Sequence, residues 1–367
     1  MSLCASGGNP LTSKHGSYLY WQEPTQTFYL DQGPLGTLDE KTAQQLVIDA
    51  FQEWSNVEYS DFRWEFGGIL EENVTVENAT RYIESATDGI NLVIFDEDGS
   101  IIDSKYGIGM SDSVLGFAYP VSSPSGVILS AKAILNGKLL TRDGDDLERI
   151  YASILHEIGH FTGLDHTQLY PEFAFDEDPD NDRFIPVMFP LAPREVKNPQ
   201  GLSADDKMTI ASLYQSDDFY DDLGGIFGTV TRPDGTAVQG ANVVAVNVEQ
   251  PYTLAYSVVS DLSQSQTGEF QLSGIQPGNY VLYIEPIHPE FHGLSGVGPF
   301  SDHEDSPSFI NPVIKEYYNS DRESGSSTGD DPEDQVIIEV NAGEEITNIH
   351  FVSNEDDSSA VSEWCLF

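Results

Sequence analysis

Between Thr37 and Trp54 the apolar residues Ala43, Leu46, Val47, Ala50, Phe51 and Trp54 recur three and four positions apart, the spacing of one buried helix face. Thr37 and Glu40 form a capping-box pattern at its start. The spacing returns in Leu147, Ile150, Tyr151, Ile154, Leu155 and Ile158, and again in Ile210, Leu213 and Tyr214 behind a second cap pattern at Ser203 and Asp206. Other stretches read as strands: Thr27–Leu30 within an entry segment 17–35, Phe62–Phe66, and Ile90–Phe95 ahead of the acidic turn Asp96–Gly99. The polar stretch 70–88 reads as loop. From Ile226 the pattern changes: alternation runs to a Pro233-Asp234-Gly235 break and resumes, and Gly268–Leu282, Val336–Gly343 and Ile349–Phe351 add strands. The expectation is an α+β domain over 17–216, an acidic and glycine-containing linker over 217–225, and an all-β sandwich over 226–354 with an insertion at about 288–334. Tails of 1–16 and 355–367 flank them.

The second long helix carries the chemistry. His156 and His160 stand at i and i+4, one turn apart on one face, where both imidazoles reach one ion. Glu157, between them, is free to hold a water that the metal polarises. Gly163 supplies the positive φ of an abrupt helix stop, after which His166 folds back as a third ligand and Asp165 stands beside it. Three protein ligands and an open fourth position distinguish a catalytic zinc site from a closed structural one. Five such residues at fixed offsets arise by chance on the order of once in 10⁵ chains of this size.

The stretch His156–His166 resembles the extended zinc-binding motif of the metzincin metallopeptidases, and Gly163-Leu-Asp-His166 is most similar to the matrixin branch. Pro186-Val-Met188-Phe-Pro190 is similar to the methionine-containing turn beneath the zinc, and Leu202-Ser-Ala-Asp-Asp206 to the family's final helix. The resemblance implies a twisted mixed sheet with long helices, one catalytic Zn2+, ligands His156, His160 and His166, base Glu157 and supporting roles for Met188, Gly163 and Asp165. It implies a secreted endopeptidase in which Glu157 assists attack of zinc-activated water on a peptide bond. The run Gly126–Asn136 resembles the edge strand to which substrate backbone would pair. With no histidine between His15 and His156, the second zinc site of vertebrate matrixins is not expected. Residues from Ile226 onward resemble carboxypeptidase regulatory-like, transthyretin-like modules. The competing reading is a surface binding or adhesion protein in which the sandwich recognises a partner; an intact Glu157 argues for the enzyme.

Charge narrows the partners. Lys and Arg number 16 against 61 Asp and Glu, a net charge of -45, which repels nucleic acid and anionic membranes; the protein or peptide substrate is what the resemblance implies. No apolar run is long enough to span a bilayer. Asp176, Asp178, Asp180 and Asp182 alternate as in calcium loops, without the glycine and terminal glutamate of an EF-hand, and are candidate Ca2+ ligands. His288, His292 and His303, in the insertion, read as surface residues. Cys4 and Cys365 are the two cysteines; they can pair with each other, or Cys4 can mark a lipid-attachment position. A secreted or cell-surface location follows from the resemblance and the acidic, cysteine-poor composition, with no targeting segment in the sequence.

Overall fold

The chain opens with β1 (Thr25–Leu30), α1 (Glu40–Ser55), β2 (Arg63–Ile69), α2 (Ala79–Ile83), β3 (Asn91–Asp96) and α3 (Ser100–Tyr106). It continues through β4 (Gly116–Ser122), β5 (Ile128–Asn136), α4 (Gly137–Leu140), α5 (Leu147–Thr162), α6 (Pro171–Phe175), α7 (Ala204–Leu213) and α8 (Phe219–Asp222). The computed structural model describes residues 9–13, 16–84, 89–142, 147–176, 178–190, 201–287, 313–326 and 335–354. Cys4, Cys365, His288, His292 and His303 lie outside them.

The first five strands form one mixed sheet in the order β2-β1-β3-β5-β4, parallel except where β4 runs antiparallel to β5. Strand alternation divides it into two buried faces. Val93 and Phe95 point to the side packed by α1 and α5, whereas Leu92 and Ile94 join Ile101 and Ile102 of α3 and Ile83 of α2 on the other. The stripe on α1 is buried at Ala43, Val47, Ala50, Phe51 and Trp54. Its cap differs from the expected pair: the Asp39 side chain accepts from the N–H groups of Lys41 and Thr42, while the Thr37 N–H goes to Thr141 Oγ1. Helix α2 interrupts the stretch expected to be loop, because Ala79 and Ile83 find apolar partners there.

The expected edge strand is corrected. Strand β5 pairs with β4 over Ile128–Leu135 and with β3 over Lys132–Asn136, and is buried at every position but Leu129; a run so continuously apolar suits an interior strand. The free edge belongs to β4, which is half-buried throughout.

The acidic stretch 217–225 is folded: α8 buries Phe219, and Leu223 joins it against Ala211 of α7. Strands β6 (Gly224–Thr231), β7 (Asn242–Asn247), β8 (Ala255–Val259), β9 (Glu269–Ile275), β10 (Gly278–Glu285), β11 (Glu316–Tyr317), β12 (Ile338–Val340) and β13 (Glu345–Val352) follow. They make a sheet β11-β10-β7-β8, with β12 also on β10, and a second sheet β13-β6-β9. Ile226, Phe270, Leu272 and Phe351 of the smaller sheet share one core with Val243, Tyr256, Tyr280 and Leu282 of the larger. The described part of the insertion joins this core through Tyr318, 5.4 Å from Phe351 between ring centroids, and Tyr317 lies 5.5 Å from Tyr283.

The sheet region is seated directly on the α+β region. Leu169 and Tyr170 pack with Val244, Ala255 and Tyr283, and Phe189 packs with Val259, Leu262 and Ile287. No helix among the described residues is long and apolar enough to cross a membrane.

Candidate metal centre

Helix α5 is fixed along its length before it presents any ligand. Trp54 Nε1 of α1 donates to the carbonyl of Leu155 at 2.9 Å, and Ile150, Ile154, Leu155, Ile158 and Phe161 are buried. Its last carbonyls, which lack partners within a helix, are all taken. Trp21 Nε1 donates to Phe161 O, Tyr214 Oη to Thr162 O, the Gly163 N–H to His160 O and the Leu164 N–H to Gly159 O. Gly163 ends the helix at φ +108, where a Cβ would lie 3.0 Å from Leu19 O. This turn returns the chain so that His166 faces the helix it has just left.

The three imidazoles converge. His156 Nε2 is 3.2 Å from His166 Nε2, and His160 Nε2 is 3.1 Å from each of the other two. The His156–His160 contact is not a hydrogen bond. His156 Nδ1 sits 2.7 Å from Val187 O and His160 Nδ1 2.8 Å from Leu164 O; a carbonyl only accepts, so both Nδ1 atoms carry the proton and both Nε2 atoms present lone pairs. Burial keeps both rings neutral, lowering the pKa of His156 and pulling that of His160 down to about 3. Lone pairs held this close repel unless a cation lies between them. A tetrahedral zinc with Zn–N of about 2.05 Å would set its ligand nitrogens about 3.3 Å apart, close to the observed spacing. Among the described residues this is the one group of three or more His, Cys, Asp or Glu whose ligand atoms come together. The trio fits a divalent metal ion.

Glu157 is buried beside this trio, on α5 itself, and burial alone pushes its pKa up to about 8. A neighbouring cation would favour its ionised form. Gly116, the first residue of β4, allows this placement: a Cβ there would lie 3.0 Å from Glu157 Oε1.

Met188 is buried with its sulfur under Gly159; a Cβ on that glycine would come within 2.2 Å of Sδ. Asp206 holds the turn, accepting from the N–H groups of Val187 and Met188 while it completes the Ser203 capping box. Asp165 is buried, accepts from the His166 N–H at 2.7 Å, and stands 3.9 Å from His166 Nδ1. The aspartates proposed for calcium do not converge. Asp176 and Asp178 accept the N–H groups of Asp178 and Asp180, Asp176 also takes the Asn181 side-chain amide, and Asp182 opens a short 3-10 turn, so the first two side chains serve the loop itself.

No family model matches the chain. It is 35% identical over 129 residues to a protein named archaemetzincin from Nanoarchaeum equitans, a match covering 33% of this chain and 60% of that one. The similarity therefore spans less than two thirds of the relative. A solved chain titled "Structure of a chaperone-substrate complex" aligns at a TM-score of 0.27 and 16% identity, over 54% of this chain and 37% of that chain, a level at which no shared fold follows.

Several residues that shape the site carry no signal of their own in the sequence. Gly116 and Gly159 matter through what would collide with a side chain, and Asp205, beside Asp206, through a partner 52 residues away. Only the Ser203 and Asp206 pairing was open to sequence reasoning, as a helix cap.

Proposed function

We propose that this chain is a zinc-dependent endopeptidase, and that His156, His160 and His166 hold the metal. The convergence of their Nε2 atoms at 3.1 to 3.2 Å beside a buried carboxyl carries this reading. The similarity to an archaemetzincin supports the zinc-peptidase class, and Gly163–His166 with Met188 supports the finer matrixin-like assignment. When bound, zinc supplies a Lewis acid that makes a water acidic near neutral pH and polarises the scissile carbonyl.

The chain's own groups do the rest. The carbonyls of Val187 and Leu164 fix the Nδ1–H tautomers of His156 and His160, so each ring offers Nε2. Glu157 takes a proton from the attacking water and returns it to the leaving amine, the role for which a buried carboxyl with a raised pKa is suited. Among the described residues strand β4 leaves one edge unpaired, and it begins at Gly116, against Glu157, so an extended peptide pairing with it would run past the base. A secreted or surface location is part of the proposal and rests on the acidic composition.

Cleavage of a mixed peptide library by wild type and by Glu157→Ala, with zinc content measured for both, tests this. The expected result is zinc in both and cleavage by wild type alone. Zinc in both with cleavage by neither would turn the reading towards a binding protein built on the sheet region.

A further inference from the structure

Two of the three histidines owe their placement to α5, in which i and i+4 are locked by the helix itself. His166 has no such frame. It lies in the irregular segment after Gly163, and its position depends on what holds that segment from outside.

Strand β8 does much of the holding. Among the described residues it is the last strand of its sheet, paired only with β7, so alternate N–H groups point away from the ladder. Two of these find side chains. The Ser257 N–H donates to Asp205 Oδ1 at 2.7 Å, and the Val259 N–H donates to Asn9 Oδ1 at 3.0 Å. Each acceptor then grips the ligand segment with its other end. Asp205 Oδ2 accepts from Thr167 Oγ1 at 2.6 Å, and Asn9 Nδ2 donates to His166 O at 3.1 Å. Asn9 O also accepts the Asp165 N–H, and the Thr167 N–H donates to Met188 O. Asn9, Thr167, Asp205 and Ser257 are all at least 97% buried, the relative exposures being 2%, 3%, 1% and 0%.

We propose that the C-terminal sheet region is a working part of the metal centre, with Asp205 and Asn9 as positioning residues through which β8 sets the place of His166. The inference rests on His166 being a metal ligand. Packing alone would not need these groups, since Leu169 and Tyr170 already bury apolar surface against Val244 and Ala255. A buried carboxylate between two regions is a costly way to glue them and a good way to fix one register.

The test uses the full chain loaded with zinc or cobalt. Thr167→Val removes the hydroxyl that reaches Asp205 and keeps the shape; Asn9→Ala opens the second strap and touches neither sheet core. Both should weaken zinc binding, read by chelator competition, about 10–100-fold, the usual cost of losing a group that orients a ligand. Both should also shift the visible bands of the cobalt-substituted protein. Thr167→Ser should keep wild-type values. Ser260→Ala, which loses a buried bond to Val238 O inside the sheet region, should lower Tm and leave metal affinity and cobalt bands unchanged. If Thr167→Val and Asn9→Ala lower Tm as Ser260→Ala does, with zinc affinity and cobalt bands of wild type, the proposal is wrong. If Thr167→Val yields no folded protein, Asn9→Ala decides by the same readings. None of these needs peptide cleavage, so a wild type that binds zinc and cleaves nothing would overturn the peptidase reading alone.

Discussion

Gly116 and Asp205 show how much of the site is decided by single atoms. A methyl group at Gly116 would meet both Glu157 Oε1 and Ile134 O at 3.0 Å, and the backbone carbonyl of β5 yields less readily than the carboxyl. Gly116→Ala should therefore push Glu157 off its position and lower kcat by about 10- to 100-fold, with zinc content unchanged, since misplacement of about 1 Å can cost 10²-fold. Steady-state kinetics alongside metal analysis check this. Asp205 titrates differently in the folded chain: burial raises its pKa from the ordinary 3.8 to about 7, with Asp206 adding to the shift and the Thr167 and Ser257 hydrogen bonds opposing it. Tyr170 and Tyr256 also face it. A carboxyl that binds its proton more readily folded than unfolded gives stability that is complete below about pH 4 and is lost as pH rises to about 7. Asp205→Asn should flatten that part of the stability profile, measured as urea midpoint against pH.

Among the elements, α5 is closely packed at Gly159. Met188 fills the space that Gly159 leaves open between His156 and His160, and Trp54 Cζ2 would lie 2.9 Å from an added Cβ. Gly159→Ala should destabilise by about 1–3 kcal/mol, the usual cost of overpacking a well-filled core, and Met188→Ala in the same chain should recover part of it. Thermal melts of the two single variants and the double variant measure the coupling. Helix α7 has a different dependence. Ser203→Ala breaks its capping box and should cost about 1 kcal/mol. Because Asp206 also holds the Val187–Met188 turn, zinc affinity should fall with it, whereas an isolated cap would leave zinc binding alone.

At the scale of the molecule, the α+β and sheet regions are not beads on a linker. Asn242 Nδ2 donates to Gln168 O, Tyr170 Oη to Pro251 O, and Phe189 and Tyr170 are buried at the contact. Both regions should unfold in one calorimetric transition in the full chain; two separated transitions would show that the contact contributes little. Removal of the sheet region would expose Leu169, Tyr170 and Phe189 beside the candidate centre, so we expect the shortened chain to lose solubility and zinc together.

Local regularities were legible from residue order because they depend on near neighbours. The stripe of α1, the i and i+4 histidines, the glycine stop at 163, the Ser203 cap and the strands after Ile226 all follow from periods of 3.6 and 2 or from a φ that one residue type adopts readily. Several readings did not hold, most of them because a partner elsewhere in the chain decided the outcome. Asp39 caps α1 locally while the Thr37 N–H goes to Thr141, α2 formed within 70–88 where Ala79 and Ile83 found apolar partners, and β4 took the edge in place of β5. Residue order alone settles which residues can bind a metal and the turn that returns the third to the first two. That their Nε2 atoms meet, that Gly116 stands over Glu157, and that an edge strand some 90 residues downstream bonds to the third histidine's segment depend on the packed fold. Those are contacts between groups far apart in the chain, and their geometry exists only once both cores are packed.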